Sequence, residues 1–299
     1  MAALHNQILK PAGFSELFSL WSRFPDAVPF AGGTALIREG VHAHEGSPTN
    51  EDSSPMHRGL PVLPANVLSL EKIEELRRIT RTERYLEIGA MVRLNEIIAL
   101  GKTVPDAFSE TLKGIAGPQV RNMATIGGNI CVSGDATASM AALEARYELR
   151  SAGGSRWVSA NRFSLFSEGL GAQELLTRIR IPLEQWDYTI YRKFLPQTPG
   201  GEGGVLLLLI KNQKEILTHI QVVFATSTQG AKEIAQESLL RDKNSETFLE
   251  GKTLPLDHRD VVHYKKLWKN YLSGLERPGP FLQAKILNSI EAGILSLAD

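Results

Sequence analysis

Two double-glycine segments constrain this chain more than any other feature: Ala31-Gly32-Gly33-Thr34 and Thr125-Ile126-Gly127-Gly128-Asn129. Each stands where an apolar run gives way to a turn. Glycine lacks a Cβ, so such turns reach backbone angles closed to other residues and bring bare amides up to a bulky ligand. Successive amides aimed the same way form an anion-binding concavity without any basic side chain. Two such segments, far apart in sequence, suit a ligand with a diphosphate at its centre, clamped between two lobes.

At 299 residues the chain is long enough for two or three domains with separate cores. Its 33 basic and 33 acidic residues cancel, which argues against a nucleic-acid binder that relies on a basic surface. The opening MAALHNQILKPAGF has no charged segment followed by an apolar stretch, so no secretory signal is expected. The most apolar run, Val205 to Ile210, is too short to span a bilayer. A cytoplasmic protein without a membrane span is the expectation. A single cysteine, Cys131, excludes an internal disulfide and any iron–sulfur cluster held by this chain alone. A redox centre would have to be organic or belong to a partner. Cys131 follows an apolar isoleucine and reads as a small buried residue rather than a redox thiol.

Periodicity orders the rest. Phe14 to Phe24 places Phe14, Leu17, Phe18 and Trp21 on one helical face, and Val28-Pro29-Phe30 leads as a strand into the first glycines. Residues 39–59 form a polar excursion rich in Ser, Pro and Gly. Short strands are expected in Leu60–Leu70, a charged helix over Glu71–Ile79 and a strand over Tyr85–Ile88. Helices are expected over Arg93–Leu100, Asp106–Ile115 and Thr137–Arg146, the last with Asp135 or Thr137 near its N-cap. Strands follow at Tyr147–Arg150, Trp157–Val158 and Leu175–Ile181. Gly200–Gly204 reads as a flexible turn between strands Tyr188–Phe194 and Val205–Ile210, with another strand over Ile216–Ala225. Helices are then expected at Ala231–Leu240, His258–Leu275 and Phe281–Leu297. The order runs α/β first and then strands followed by helices, which predicts an α+β C-terminal domain starting near residue 184.

The stretch Gly117-Pro118-Gln119-Val120-Arg121-Asn122-Met123-Ala124-Thr125-Ile126-Gly127-Gly128-Asn129-Ile130-Cys131 resembles the signature of the FAD-binding medium subunit of molybdenum hydroxylases. These are the flavoprotein subunits of the xanthine dehydrogenase and carbon monoxide dehydrogenase type. Further matches fall in the same order: Phe30–Thr34, Leu86–Ala90, Glu174–Leu176 with Ile179–Pro182, Tyr191–Lys193, and Leu249–Lys252. The resemblance implies an α+β fold: a two-lobed FAD-binding domain of the vanillyl-alcohol-oxidase-like type, with lobes over 1–59 and 60–183, then a smaller α+β C-terminal domain over 184–299. It also implies a redox role. Electrons would come from a molybdenum-cofactor subunit through an iron–sulfur subunit to FAD, and leave to NAD or another acceptor. Carried over by motif, Pro29, Phe30, Ala31, Gly32, Gly33, Thr34, Ala35 and Leu36 would line the diphosphate and ribityl chain. Thr125, Ile126, Gly127, Gly128 and Asn129 would line it from the second segment. Ile115 would pack near the flavin ring, Asp135 would bind the sugar region, Leu176 would give an apolar contact to the flavin, and Lys193 a polar one. Three departures stand near this site. Ala35 replaces the family's usual Asp, Cys131–Asp135 is shortened, and Leu195–Pro199 replaces a basic segment.

Other readings have less support. His42, His44, Glu45 and His57 are of metal-ligating type, but they lie in a loop without a strand or helix to space them. Gly251-Lys252-Thr253 ends like a phosphate-binding loop, yet Glu246 stands where that motif needs glycine. Arg121 offers a phosphate partner or a surface salt bridge. No Ser-His-Asp arrangement has local support. Two rivals to the flavoprotein remain: a diverged structural or assembly subunit that binds FAD weakly or not at all, and an unrelated module for ATP or NAD.

Overall fold

The computed structural model describes residues 7–37, 64–165, 170–198, 201–228 and 239–298. The polar excursion at 39–59 and its histidines lie outside the described residues. Three sheets carry the fold.

The first sheet has the order β1-β3-β2, from β1 (Gln7–Leu9), β2 (Val28–Phe30) and β3 (Asn66–Ser69), all parallel. The helix Phe14–Arg23 connects β1 to β2 and buries Leu17, Phe18 and Trp21, three residues that 3.6-residue periodicity puts on one face. Phe14, Phe18 and Trp21 stack in series along that face. β3 bonds to both β1 and β2, so Asn66–Ser69 belongs to this first sheet.

The second sheet is wholly antiparallel, with the order β4-β5-β8-β6-β7. Its strands are β4 (Ile79–Arg81), β5 (Tyr85–Gly89), β6 (Arg146–Ser151), β7 (Gly154–Ser159) and β8 (Leu175–Pro182). The charged helix expected over Glu71–Ile79 is one 3₁₀ turn, Glu74–Arg77, because Ile79 to Arg81 pairs along β5 as an edge strand. Helices Leu94–Ala99, Asp106–Lys113 and Ala136–Ala142 match the expected helical regions. The last stops short of Arg146: Glu144 takes a φ of 53°, and the chain turns into β6.

The third sheet, β12-β11-β10-β9, is formed by β9 (Tyr188–Phe194), β10 (Glu202–Gln213), β11 (Ile216–Thr228) and β12 (Leu239–Leu240). The apolar run of β10 is buried on both faces. Val205, Leu207 and Leu209 join the core of the second lobe, while Leu206, Leu208 and Ile210 join a second core under the C-terminal helices. Alternation across a strand explains this: each face receives every other residue. Helices His258–Ser273 and Pro280–Leu295 close that second core with Val261, Tyr264, Trp268, Ile286 and Ile290. Two expectations change here. Leu239 and Leu240 are an edge strand against Phe224 and Ala225, not the end of a helix. Gly203 and Gly204 lie inside β10 rather than in a flexible turn, and a Cβ on Gly204 would come 2.3 Å from Ala225 O. Among the described residues no helix is long and apolar enough to cross a membrane.

Candidate functional site

The first double-glycine segment packs on the residues just ahead of the second. A Cβ built on Gly32 would lie 1.9 Å from the carbonyl oxygen of Met123 and 3.2 Å from Ala124 Cα, so the first segment lies directly on the turn that leads into the second. Gly33 has a φ of 71°, the left-handed region, and the Phe30 ring folds over it 2.4 Å from where a Cβ would stand. A helical turn starts at Thr34. Among the described residues no acceptor meets the amides of Gly32, Gly33, Thr34 or Ala35. Free amides beside a tight glycine turn are the group an anionic ligand requires. Pro29, Phe30, Ala31, Gly32, Thr34, Ala35 and Leu36 are half-buried, whereas Gly33 is buried.

The second segment is built differently from the expected open loop. Thr125 caps the helix Ile126–Cys131, its Oγ1 accepting from Gly128 N at 3.2 Å. Ile126 N donates to Val92 O, Gly127 N to Ala90 O and Asn129 N to Thr125 O, at 2.9 to 3.0 Å. Each amide from 126 to 129 is therefore already committed. Glycine is required at 127 for another reason: a Cβ there would come 2.7 Å from Ala90 Cβ. The expected amide clamp at Thr125–Asn129 is thus corrected to a packed helix start. Thr125, Ile126 and Gly127 are buried, and only Gly128 and Asn129 are half-buried. Asn129 organises the shortened 131–135 stretch, accepting Gly134 N at its backbone oxygen and Ala136 N at Oδ1.

A charged cluster sits where the second lobe meets β9. Lys193 Nζ donates to Asp135 Oδ2 at 2.6 Å and to the Gly114 carbonyl at 2.8 Å. Asp135 occupies the N-cap position of helix Ala136–Ala142, but its side chain makes no cap bond and goes to Lys193 instead. Ile115, next to Gly114, is buried. Sequence reasoning missed Gly114 and Tyr191. A Cβ on Gly114 would lie 2.1 Å from the Tyr191 hydroxyl, which is buried without a hydrogen-bond partner. Burial, with the Asp135 and Glu110 carboxylates nearby, pushes the Tyr191 phenol up to about 12. The glycine ahead of Ile115 was the available signal.

Leu176 does not join this cluster. It is 2% exposed in β8 opposite Leu149 and belongs to the apolar core, so the expected direct flavin contact is corrected to packing inside the sheet. Arg121 is turned to backbone. Its Nη1 donates to the carbonyls of Lys113, Ile115 and Ala116. Cys131 is half-buried as a residue, yet its shielded sulfur is pushed up to about 12 by burial. Among the described residues no group of three or more metal-ligating side chains converges. A crevice of about 160 Å³ lined by Tyr85, Glu144, Arg146, Arg180, Trp186 and Gln221 opens at the other end of helix Ala136–Ala142, away from Asp135.

Comparison with known proteins shows what this geometry is similar to. Residues 49–184 match the family described as the FAD binding domain in molybdopterin dehydrogenase. The glyceraldehyde dehydrogenase medium chain of Sulfolobus acidocaldarius is 30% identical over 172 residues, covering 55% of this chain and 55% of that one. The carbon monoxide dehydrogenase medium chain of Afipia carboxidovorans is 31% identical over 183 residues, covering 58% and 57%. Quinoline 2-oxidoreductase from Pseudomonas putida 86 has the same fold, with a TM-score of 0.71 at 21% identity over 98% of this chain and 95% of that one. Residues 49–184 are thus similar to an FAD binding domain of that family, and the α+β fold is shared with quinoline 2-oxidoreductase. The two curated relatives are dehydrogenase subunits, and this chain spans little more than half the length of each.

Proposed function

We propose that the chain binds FAD where its first two lobes meet and serves as the flavoprotein subunit of a molybdenum-hydroxylase-type oxidoreductase. The observation that carries this reading is the contact of Gly32 with the Met123 carbonyl, which sets the first double-glycine segment against the residues just ahead of the second with no room for a side chain. The unmet amides of Gly32 to Ala35 fit a diphosphate. They would hold it, with Pro29, Phe30, Ala31 and Leu36 around the ribityl chain. Thr125–Asn129 would form the opposing wall, contributing shape more than N–H groups. Asp135 would bind the sugar region, Ile115 would pack near the flavin ring, and Lys193 would present its ammonium to it.

Bound FAD would supply the electron relay between the iron–sulfur clusters of a partner subunit, fed by a molybdenum-cofactor subunit, and NAD or another acceptor. The chain's own part is positional. The Gly114 carbonyl and Asp135 fix Lys193 Nζ from two sides, so the cation would be preorganised beside a bound flavin. The same reading places the protein in the cytoplasm and divides it into a first lobe through Ser69, a second to about residue 183, and a C-terminal α+β domain.

A second reading keeps the fold but weakens the cofactor. The committed amides of residues 126–129 and the missing acid at Ala35 favour it. The visible spectrum of the purified chain, stripped of free flavin and then reconstituted with FAD, separates the two. Oxidised-flavin bands that survive gel filtration support the flavoprotein. A folded chain that stays colourless supports the structural subunit.

A further inference from the structure

We propose that Arg121 is a positioning residue for the flavin end of the site, a guanidinium that holds the 113–116 turn in a conformation the chain would otherwise leave. The inference rests on the FAD reading above. Arg121 Nη1 donates to Lys113 O at 2.9 Å, Ile115 O at 3.0 Å and Ala116 O at 2.7 Å. Three carbonyls of one turn converge on one nitrogen. The other side of the guanidinium is braced as well: Nε donates to Asn95 Oδ1 at 3.1 Å, and Asn95 Nδ2 donates on to Asn122 Oδ1 and Pro118 O. A planar fork with donors on several edges can bridge such a set, whereas an ammonium is a single point.

The turn needs holding. Ala116 has a φ of 44°, a left-handed conformation that a non-glycine residue keeps where its surroundings over-determine it. The same turn carries the two groups that face the proposed flavin. Its Gly114 carbonyl anchors Lys193 Nζ, and Ile115 is its apolar contact. Release of the turn would therefore move the cation and the apolar contact together. Nη1 is turned to backbone carbonyls of this turn and Nε to Asn95, while the unmet amides suited to phosphate are at Gly32–Ala35.

The test uses the full chain and the variants Arg121→Gln, Arg121→Lys and Asn95→Ala, the last removing only the brace should the first two fail to fold. Amide hydrogen exchange over residues 113–117 is read without cofactor. FAD affinity, flavin midpoint potential and ADP affinity are read separately, ADP reporting the first-lobe amides. Arg121→Gln is expected to speed exchange across the turn and weaken FAD about tenfold, the loss of one charge-assisted contact. The midpoint potential falls as the Lys193 cation drifts, while ADP affinity stays within about twofold. Arg121→Lys restores neither exchange nor potential, and Asn95→Ala shifts both in the same direction by less. Unchanged exchange in Arg121→Gln overturns the clamp whether or not FAD binds. Equal losses of ADP and FAD affinity make Arg121 a phosphate ligand and also overturn it. Full rescue by Lys reduces its role to charge alone and does the same. A wild-type chain that binds ADP but never FAD sinks the flavin reading itself, and this positioning role with it.

Discussion

Replacing Gly32 with alanine puts the heart of the site under direct test. The added methyl would lie 1.9 Å from Met123 O and 2.8 Å from Met123 C. Non-bonded heavy atoms settle at about 3.5 Å, so the shortfall is about 1.6 Å. The obstacle is backbone, and no rotamer change relieves it. The two segments must part, at a cost of about 1–3 kcal/mol for overpacking. Parting also spoils the amide cradle. Two charge-assisted hydrogen bonds to a diphosphate, each worth about 1.5–3 kcal/mol, would be lost or stretched, so the FAD Kd should rise more than about 100-fold. Gly128→Ala is the control. Its methyl would meet only Thr125 Oγ1 at 3.0 Å, a rotatable side chain, inside a helix where alanine is favoured over glycine by about 1 kcal/mol. Urea unfolding and flavin-fluorescence titration are the assays. If Gly32→Ala keeps both stability and affinity, the segments do not touch as described. If Gly128→Ala loses FAD as completely as Gly32→Ala, the second segment is a direct ligand and its amides are not committed.

Three further predictions probe the frame. Arg241 and Glu246 form an ion pair with side chains 5% and 6% exposed, and Glu246 Oε1 also accepts Val222 N. Arg241→Met leaves a buried carboxylate unpaired and should cost about 3–5 kcal/mol in urea unfolding at neutral pH. Burial already holds the Glu246 carboxyl above its usual range despite Arg241, so stability from its protonated form is present in acid and lost as pH rises through the raised value. The deficit should accordingly shrink on acidification, and a constant deficit would refute the assignment. Glu174 has the opposite sign. Its hydrogen bond from Arg156 outweighs burial and, with Gly171 N, holds the carboxyl below its usual range. Its stability contribution is present above the ordinary carboxylate range and lost as pH falls through the lowered value. Glu174→Gln should cost about 0.5–1 kcal/mol at pH 7, since Arg156 is half exposed, and nothing in strong acid. Cys131, its thiol pushed up to about 12, should react with a thiol reagent at pH 8 only as fast as the chain unfolds. Rapid labelling of the native protein would place the sulfur at the surface.

How much of this was legible in the sequence depended on whether a feature is local. The Phe14–Arg23 helix was legible because its apolar spacing is contained in ten residues. The burial of β10 on both faces was less so, since an unbroken apolar run is equally compatible with other buried elements. That β3 joins the first sheet was not legible, because it pairs with β1 and β2 across a long intervening stretch of sequence. The glycines show the limit most clearly. Gly33 and Gly127 look alike in sequence, each in a double glycine after an apolar run. The first is glycine because its backbone is left-handed, the second because β5 ends at Gly89 and Ala90 packs against its Cα. What decides whether an amide is free for a ligand is its acceptor, and for Ile126 and Gly127 that acceptor is a carbonyl more than thirty residues away. Glycine content therefore told where backbone is crowded or bent. Only the partner of each N–H could tell which of the two crowded places keeps donors to spare, and that place is the first segment.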